Sequence, residues 1–192
     1  VDSDGYIIWE IPDCQRSLSA LDFTTIWEEH TYYFTRFTFK RLLENAGFEL
    51  LSYKIVPYPL ENSIIAITTQ NKQLDIPKSE SEKVNAELNR AQNFAKSFKK
   101  QKEKICEKLE YLQNTYGPIV IFGAGHLSVA FLSILNTSNL VQFVIDDNEN
   151  KKDMWMPIEN IKIKGSDSLK TEDIGICLLG INPQNQSKVI NN

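Results

Sequence analysis

The sequence is poor in the residues that build metal and redox centres, with three cysteines and two histidines among 192 residues. Cys14, Cys106 and Cys177 are far apart, odd in number and never spaced Cys-x-x-Cys. A disulfide framework is therefore not expected, and reduced thiols in a cytoplasmic protein are. With only His30 and His126 to complete a ligand set, no metal site is expected either. No apolar run approaches membrane-spanning length and no signal peptide is visible, so no membrane partner is expected. Strong charge is missing too: the net charge is −4, which argues against a broad nucleic-acid surface. An initiator methionine is absent, and the chain opens almost directly on a strand pattern, so it reads as a piece of something longer.

Against that background one stretch carries most of the pattern. Pro118-Ile119-Val120-Ile121-Phe122 is an apolar run of strand formers that meets Gly123-Ala124-Gly125-His126. Leu127, Ala130, Phe131, Ile134 and Leu135 then recur at helical spacing, and Gln142 to Asp147 supply a second strand ending in carboxylates. Strand, tight turn, helix and strand make a Rossmann-like βαβ unit. Glycines let the backbone turn sharply and approach a ligand, and a helix start presents free N–H groups to an anion. Asp146 follows Gly123 by 23 residues, near the spacing from which an acidic residue reaches a ribose hydroxyl. Ser128 stands where the fingerprint usually has Gly or Ala, and is small enough for close packing. The same turn could equally be structural, with His126 a satisfied turn residue.

Upstream, Gly5 to Pro12 reads as a buried-type strand stopped by proline. Residues 13–37 have no sustained period and form a long aromatic-rich connection, the kind of loop that carries function. A short helix follows, with Thr38 as N-cap and Gly47 as stop, then two strands, 48–56 and 62–69, as an antiparallel pair. Residues 70–81 are a polar linker. From Glu82 to Tyr116 the apolar positions keep a helical period, about 50 Å if continuous. Lys99, Lys100, Lys102 and Lys104 mark a kink or a solvated face in it. Further strands are expected at 161–163 and 174–180, with a helix beginning after Asn182. The fold expected is α/β, with residues 1–75 and 117–192 as two halves and residues 76–116 as linker and long helix. Each half is expected to hold a mostly parallel sheet.

Two parts of this pattern carry a resemblance. The first 70 residues, with Ala46-Gly47-Phe48 ending a helix before a strand pair, resemble the second half of a class I S-adenosylmethionine-dependent methyltransferase. The whole chain resembles the sugar C-methyltransferases, which act on nucleotide-activated keto-deoxysugars. The matching pieces are Glu10-Ile11-Pro12, Glu29-His30-Thr31-Tyr32-Tyr33-Phe34, Ala95-Lys96-Ser97-Phe98, Gly123-Ala124-Gly125, and Asp146 to Lys151 with Pro157 and Ile161-Lys162-Ile163. Trp27 replaces the family's tyrosine, and Glu61-Asn62-Ser63 replaces its glycine-rich phrase, so a different small-molecule substrate stays open. The resemblance implies S-adenosylmethionine as methyl donor. Residues 1–75 hold no Gly-x-Gly turn after a strand, so the donor's site is expected mostly in an N-terminal half outside this chain, which alone is expected to be inactive. It further implies that the Rossmann-like unit holds a nucleotide-sugar, with Gly123, Gly125, His126 and Asp146 as binding residues.

Methyl transfer from a sulfonium to carbon requires an enolate, so a base must take a proton beside a carbonyl. Imidazole suits that task near neutral pH, and a neighbouring carboxylate can orient it and stabilise its charged form. Glu29 and His30 supply both, and Tyr33 could donate to the developing oxyanion. Alternatively His30 caps a helix or bonds backbone, and the aromatics are core. As a whole, the competing reading is a non-catalytic nucleotide-binding Rossmann-like module.

Overall fold

The computed structural model describes residues 5–26, 30–59, 61–70, 80–158 and 160–191. The chain forms two compact units, one of residues 1–22 and 28–96, the other of residues 23–27 and 97–192.

The first unit is built on a three-stranded sheet. Strand β1 (Tyr6–Asp13) leads into a short helix α1 (Gln15–Ala20), and helix α2 (Arg36–Asn45) precedes strands β2 (Phe48–Val56) and β3 (Asn62–Gln70). The strand order is β1-β3-β2 and every pairing is antiparallel, from Tyr6 opposite Thr69 to Asp13 opposite Asn62. This corrects the expectation of a mostly parallel sheet in residues 1–75. Apolar patterning reports which residues face a core, but the direction in which a strand pairs depends on what lies beside it. A second correction concerns β1, which is not buried on both faces: burial alternates along it, and Tyr6 and Ile8 are exposed. The inner face packs Trp9, Ile64, Ala66 and Ile55 on Phe39 and Leu43 of α2, and the Trp9 indole donates to Thr68 Oγ1 at 2.9 Å.

The N-cap of α2 is Thr35 rather than Thr38. Thr35 Oγ1 accepts from the Thr38 N–H while Thr38 Oγ1 accepts from the Thr35 N–H at 2.8 Å, so the two threonines close a reciprocal box. Gly47 follows at φ 81°, where a side chain would be strained.

Helix α3 (Ser81–Tyr116) runs unbroken for 36 residues, without the kink considered above. Lys99, Lys100 and Lys104 are exposed, as a solvated face requires. In the second unit the sheet is parallel, with β4 (Ile119–Phe122), helix α4 (His126–Ile134), β5 (Phe143–Ile145), β6 (Ile163–Lys164), α5 (Ser168–Thr171), β7 (Ile176–Leu179) and α6 (Pro183–Ile190). Its order is β6-β5-β4-β7. One face presents Ile119, Ile121, Val144 and Ile163 to Leu132 of α4 and Leu109 of α3. The other carries Val120, Phe143 and Ile145 against Ile174 and Cys177. This is the Rossmann-like α/β arrangement. No helix among the described residues is long and apolar enough to cross a membrane.

The capping box gives a direct test. Thr35→Ala removes a buried cap acceptor and is expected to lower stability by about 0.5–2 kcal/mol, read as a shifted midpoint in chemical denaturation. An unchanged midpoint would mean that α2 is held by packing alone.

Candidate functional site

In the second unit the chain leaves β4 for β5 and β6 on one side and returns to β7 on the other. The crevice where ligands bind such sheets lies at the strand ends beside that reversal, between β4 and β7. Here the two ends approach closely. The Gly180 N–H donates to the Phe122 carbonyl at 2.8 Å, and a Cβ on Gly123 would fall 2.5 Å from Ile181 Cγ2 and 2.9 Å from the Gly180 carbonyl oxygen. Gly123 also stands at φ 107°. Packing and backbone conformation thus account fully for that glycine. Gly125 differs: at φ −112° it needs no special backbone freedom, and a Cβ there would meet nothing within 4 Å. It caps α4 and leaves open space above the first turn.

Asp146 faces back into the turn. Its Oδ2 accepts from the Ala124 N–H at 2.8 Å and lies 3.0 Å from the Lys151 ammonium, while Oδ1 accepts from the Asn148 N–H at 2.9 Å. Lys151 also donates to the Ala124 carbonyl at 2.9 Å, which clips the two segments together. Burial pushes the Asp146 carboxyl up, but the Asn148, Lys151 and Ala124 donors outweigh it and hold the group below its ordinary 3.8. The residue whose spacing from Gly123 suggested a ribose contact thus also braces the turn. Ser128, fully buried, donates to the Gly123 carbonyl at 2.5 Å. His126 directs Nε2 at the Thr24 carbonyl at 3.2 Å; a carbonyl only accepts, so that nitrogen carries the hydrogen.

Asp147 Oδ1 accepts from the Ser166 N–H at 2.9 Å and Asn148 Oδ1 from the Asn150 N–H at 3.0 Å, so both fix the loop after β5. Met156 is buried in the core, whereas Trp155 is exposed and bridges Lys162. Beside the turn, a cleft of about 1110 Å³ opens between α3, α4 and the end of β7. Ile105, Leu112, Leu127, Phe131 and Leu178 line it, with Lys104 and Lys108 at the exposed side.

In the first unit His30 and Tyr33 are half-buried and meet edge to face, ring centroids 6.0 Å apart. Glu29 and Trp27 lie outside the described residues. The two groups of candidate residues thus belong to separate units, Gly123, Gly125, His126 and Asp146 to one and His30 and Tyr33 to the other. Among the described residues no group of three or more His, Cys, Asp or Glu could hold a metal ion. Sequence reasoning missed the buried Asp13 and its partner Arg36, because residues so far apart in sequence leave no local signal of their pairing.

The depressed Asp146 fixes the sign of a pH effect. A group whose folded pKa lies below its unfolded one stabilises above the unfolded value and loses that contribution as pH falls through the folded one. Asp146→Asn is expected to lower stability near neutral pH by about 1.5–3 kcal/mol, as for a hydrogen bond to a charged group. The deficit should shrink as pH drops below 3.8, followed by denaturation at stepped pH. A deficit constant down to the acid limit would mean that the charge is not what the turn uses.

No curated protein matches the chain. The family of C-methyltransferase C-terminal domains matches it over residues 65–185, from the last part of β3 through helix α3 and the parallel sheet into α6. That span covers well over half of the sequence and includes the glycine turn, Asp146 and the cleft lining apart from Thr24. The chain belongs to the C-methyltransferase C-terminal domain family.

Proposed function

We propose that the chain serves a C-methyltransferase acting on a nucleotide-activated sugar, holding the nucleotide on its Rossmann-like unit and supplying the base from the aromatic loop. The substrate half of this reading is carried by Gly125. It is a glycine that neither packing nor backbone conformation demands, at the N-terminus of a nine-residue helix, where a side chain would fill the space a diphosphate needs. The neighbouring cleft has the size and mostly apolar lining of a small-molecule site, and Lys104 and Lys108 add cationic rim groups.

The chemical half rests on His30, with Glu29 as the partner that orients it and Tyr33 as the donor to the oxyanion. A neutral imidazole takes the proton beside the sugar carbonyl. The Tyr33 ring packs against the His30 ring and limits the orientations open to it. Negative charge then develops on the carbonyl oxygen, where a phenolic O–H stabilises it. The methyl donor in this reading is S-adenosylmethionine. The described residues of the first unit do not fit it: their two glycines, Gly5 and Gly47, precede a strand and follow a helix, so no glycine turn leaves a strand there to receive it. The donor is taken up outside these residues.

Two expected outcomes test the halves separately. Gly123→Ala should destabilise the second unit, whereas Gly125→Ala should stay within about 1 kcal/mol of the parent in stability while losing affinity for a nucleoside-diphosphate sugar in calorimetry. Undiminished affinity in the Gly125 variant would make the turn purely structural. In the intact enzyme, His30→Gln should lower kcat by about 100- to 10,000-fold with nucleotide affinity near normal, and Glu29→Gln should do less. Near-normal turnover of the His30 variant would remove it as the base and leave Tyr33 as the next candidate.

A further inference from the structure

The loop that carries His30 begins at Asp13 and ends at Arg36, and its base is fastened by a pair that the chemistry above does not use. Asp13 is completely buried at the end of β1, and its Oδ2 lies 2.8 Å from Arg36 Nε at the start of α2. Its other oxygen accepts from the Gln15 N–H at 3.1 Å. One residue in from Asp13 and two from Arg36, the Cys14 N–H donates to the Phe34 carbonyl at 2.9 Å. The Tyr53 hydroxyl donates to the Arg36 carbonyl at 2.7 Å, and burial together with the nearby Asp13 pushes its pKa up to about 12, so it keeps the proton it donates. Cys14 is likewise pushed to about 12, by burial and then by Glu61, so this cluster holds an inert thiol and not a nucleophile.

A buried carboxylate is expensive to keep unless it is paired, and Arg36 pairs it while remaining partly exposed itself. The pair fixes Thr35 and Arg36, and the adjoining backbone bond fixes Phe34, which also stacks on Tyr32 at 6.1 Å and packs on Phe39 at 5.4 Å. Tyr33 therefore sits on a pinned stretch of chain, and His30 rests against Tyr33. We infer that the Asp13–Arg36 ion pair is a positioning device for the His30 imidazole, acting through Phe34 and Tyr33. Only the kinetic consequence of this rests on His30 being the base.

The sequence has two histidines, so imidazole resonances are countable, and His126 in the other unit is an internal control. In Asp13→Asn, which keeps the side chain's size and removes its charge, the His30 ring signals should shift and broaden and lose their Tyr33 cross-peaks, with His126 unmoved. In the intact enzyme the same variant should lose up to about 100-fold in kcat with the KM for the nucleotide-sugar unchanged, as expected for a misplaced catalytic group. Arg36→Lys, which leaves a cation beside Asp13 in altered geometry, carries the test should Asp13→Asn not fold. His30 signals that superimpose on those of the parent in a folded variant would overturn the inference. So would failure of both variants to fold, since the pair would then serve fold maintenance alone. If His30→Gln keeps its turnover, the base assignment falls, while the spectra still decide whether the pair positions the ring.

Discussion

The Asp146 carboxylate ties together three pieces of the second unit: the turn after β4, the end of β5 and the loop carrying Lys151. Each partner answers a need of its own. Ala124 has a backbone N–H at a helix start with no intrahelical acceptor, Asn148 opens a tight turn, and Lys151 brings a charge. One acidic side chain satisfies all three, and so braces the turn where the backbone ladder of β4 and β5 ends at the mouth of the sheet. The direction of α4 follows, since its first residues leave from that turn, and so does the geometry of the open space over Gly125.

Beneath the turn, hydrophobic burial does the rest. Consecutive residues of β4 point to opposite faces, so Ile119 and Ile121 join the cluster with Leu109 and Leu132 while Val120 joins Phe143 and Ile145. A sheet buried on both faces needs near-continuous apolar strands, which is what the sequence from 119 to 122 supplies. The antiparallel sheet of the first unit obeys the other rule, with Ile64, Ala66 and Thr68 buried and alternate positions less so.

Local patterns were legible in the sequence. The glycine turn, the long helix and the late strands follow from apolar period and from turn residues, and the structure places them within a few residues of where those signals fall. Long-range choices were not. The antiparallel pairing of β1 with β3 depends on partners far along the chain, from Asp13 with Asn62 to Tyr6 with Thr69. The Asp13–Arg36 pair spans 23 residues, and neither partner shows by itself that it is buried or paired. At α2 both threonines of Thr35-Arg36-Phe37-Thr38 offered an oxygen, and only the backbone conformation of Thr35, extended at φ −95° and ψ 169°, decides which is the cap. Asp146 was picked out by its spacing, but a carboxylate at a strand end can face a ligand or its own turn. The Ala124 N–H at 2.8 Å shows the second role, which the spacing alone did not reveal.

The unequal surroundings of the two glycines bear on how the turn can change over generations. At position 123 any side chain collides with Ile181 and Gly180 and forces a left-handed backbone, so purifying selection acts there whether or not anything is bound. Position 125 meets no such bar from packing or backbone strain, only the mild preference of a helix N-cap for glycine or a small polar residue, and a ligand would add a stricter one. A lineage that abandoned the ligand would accumulate side chains at the second glycine while keeping the first. Side chains beyond the small polar caps at the second glycine, with the first kept, are what a turn no longer in use would show.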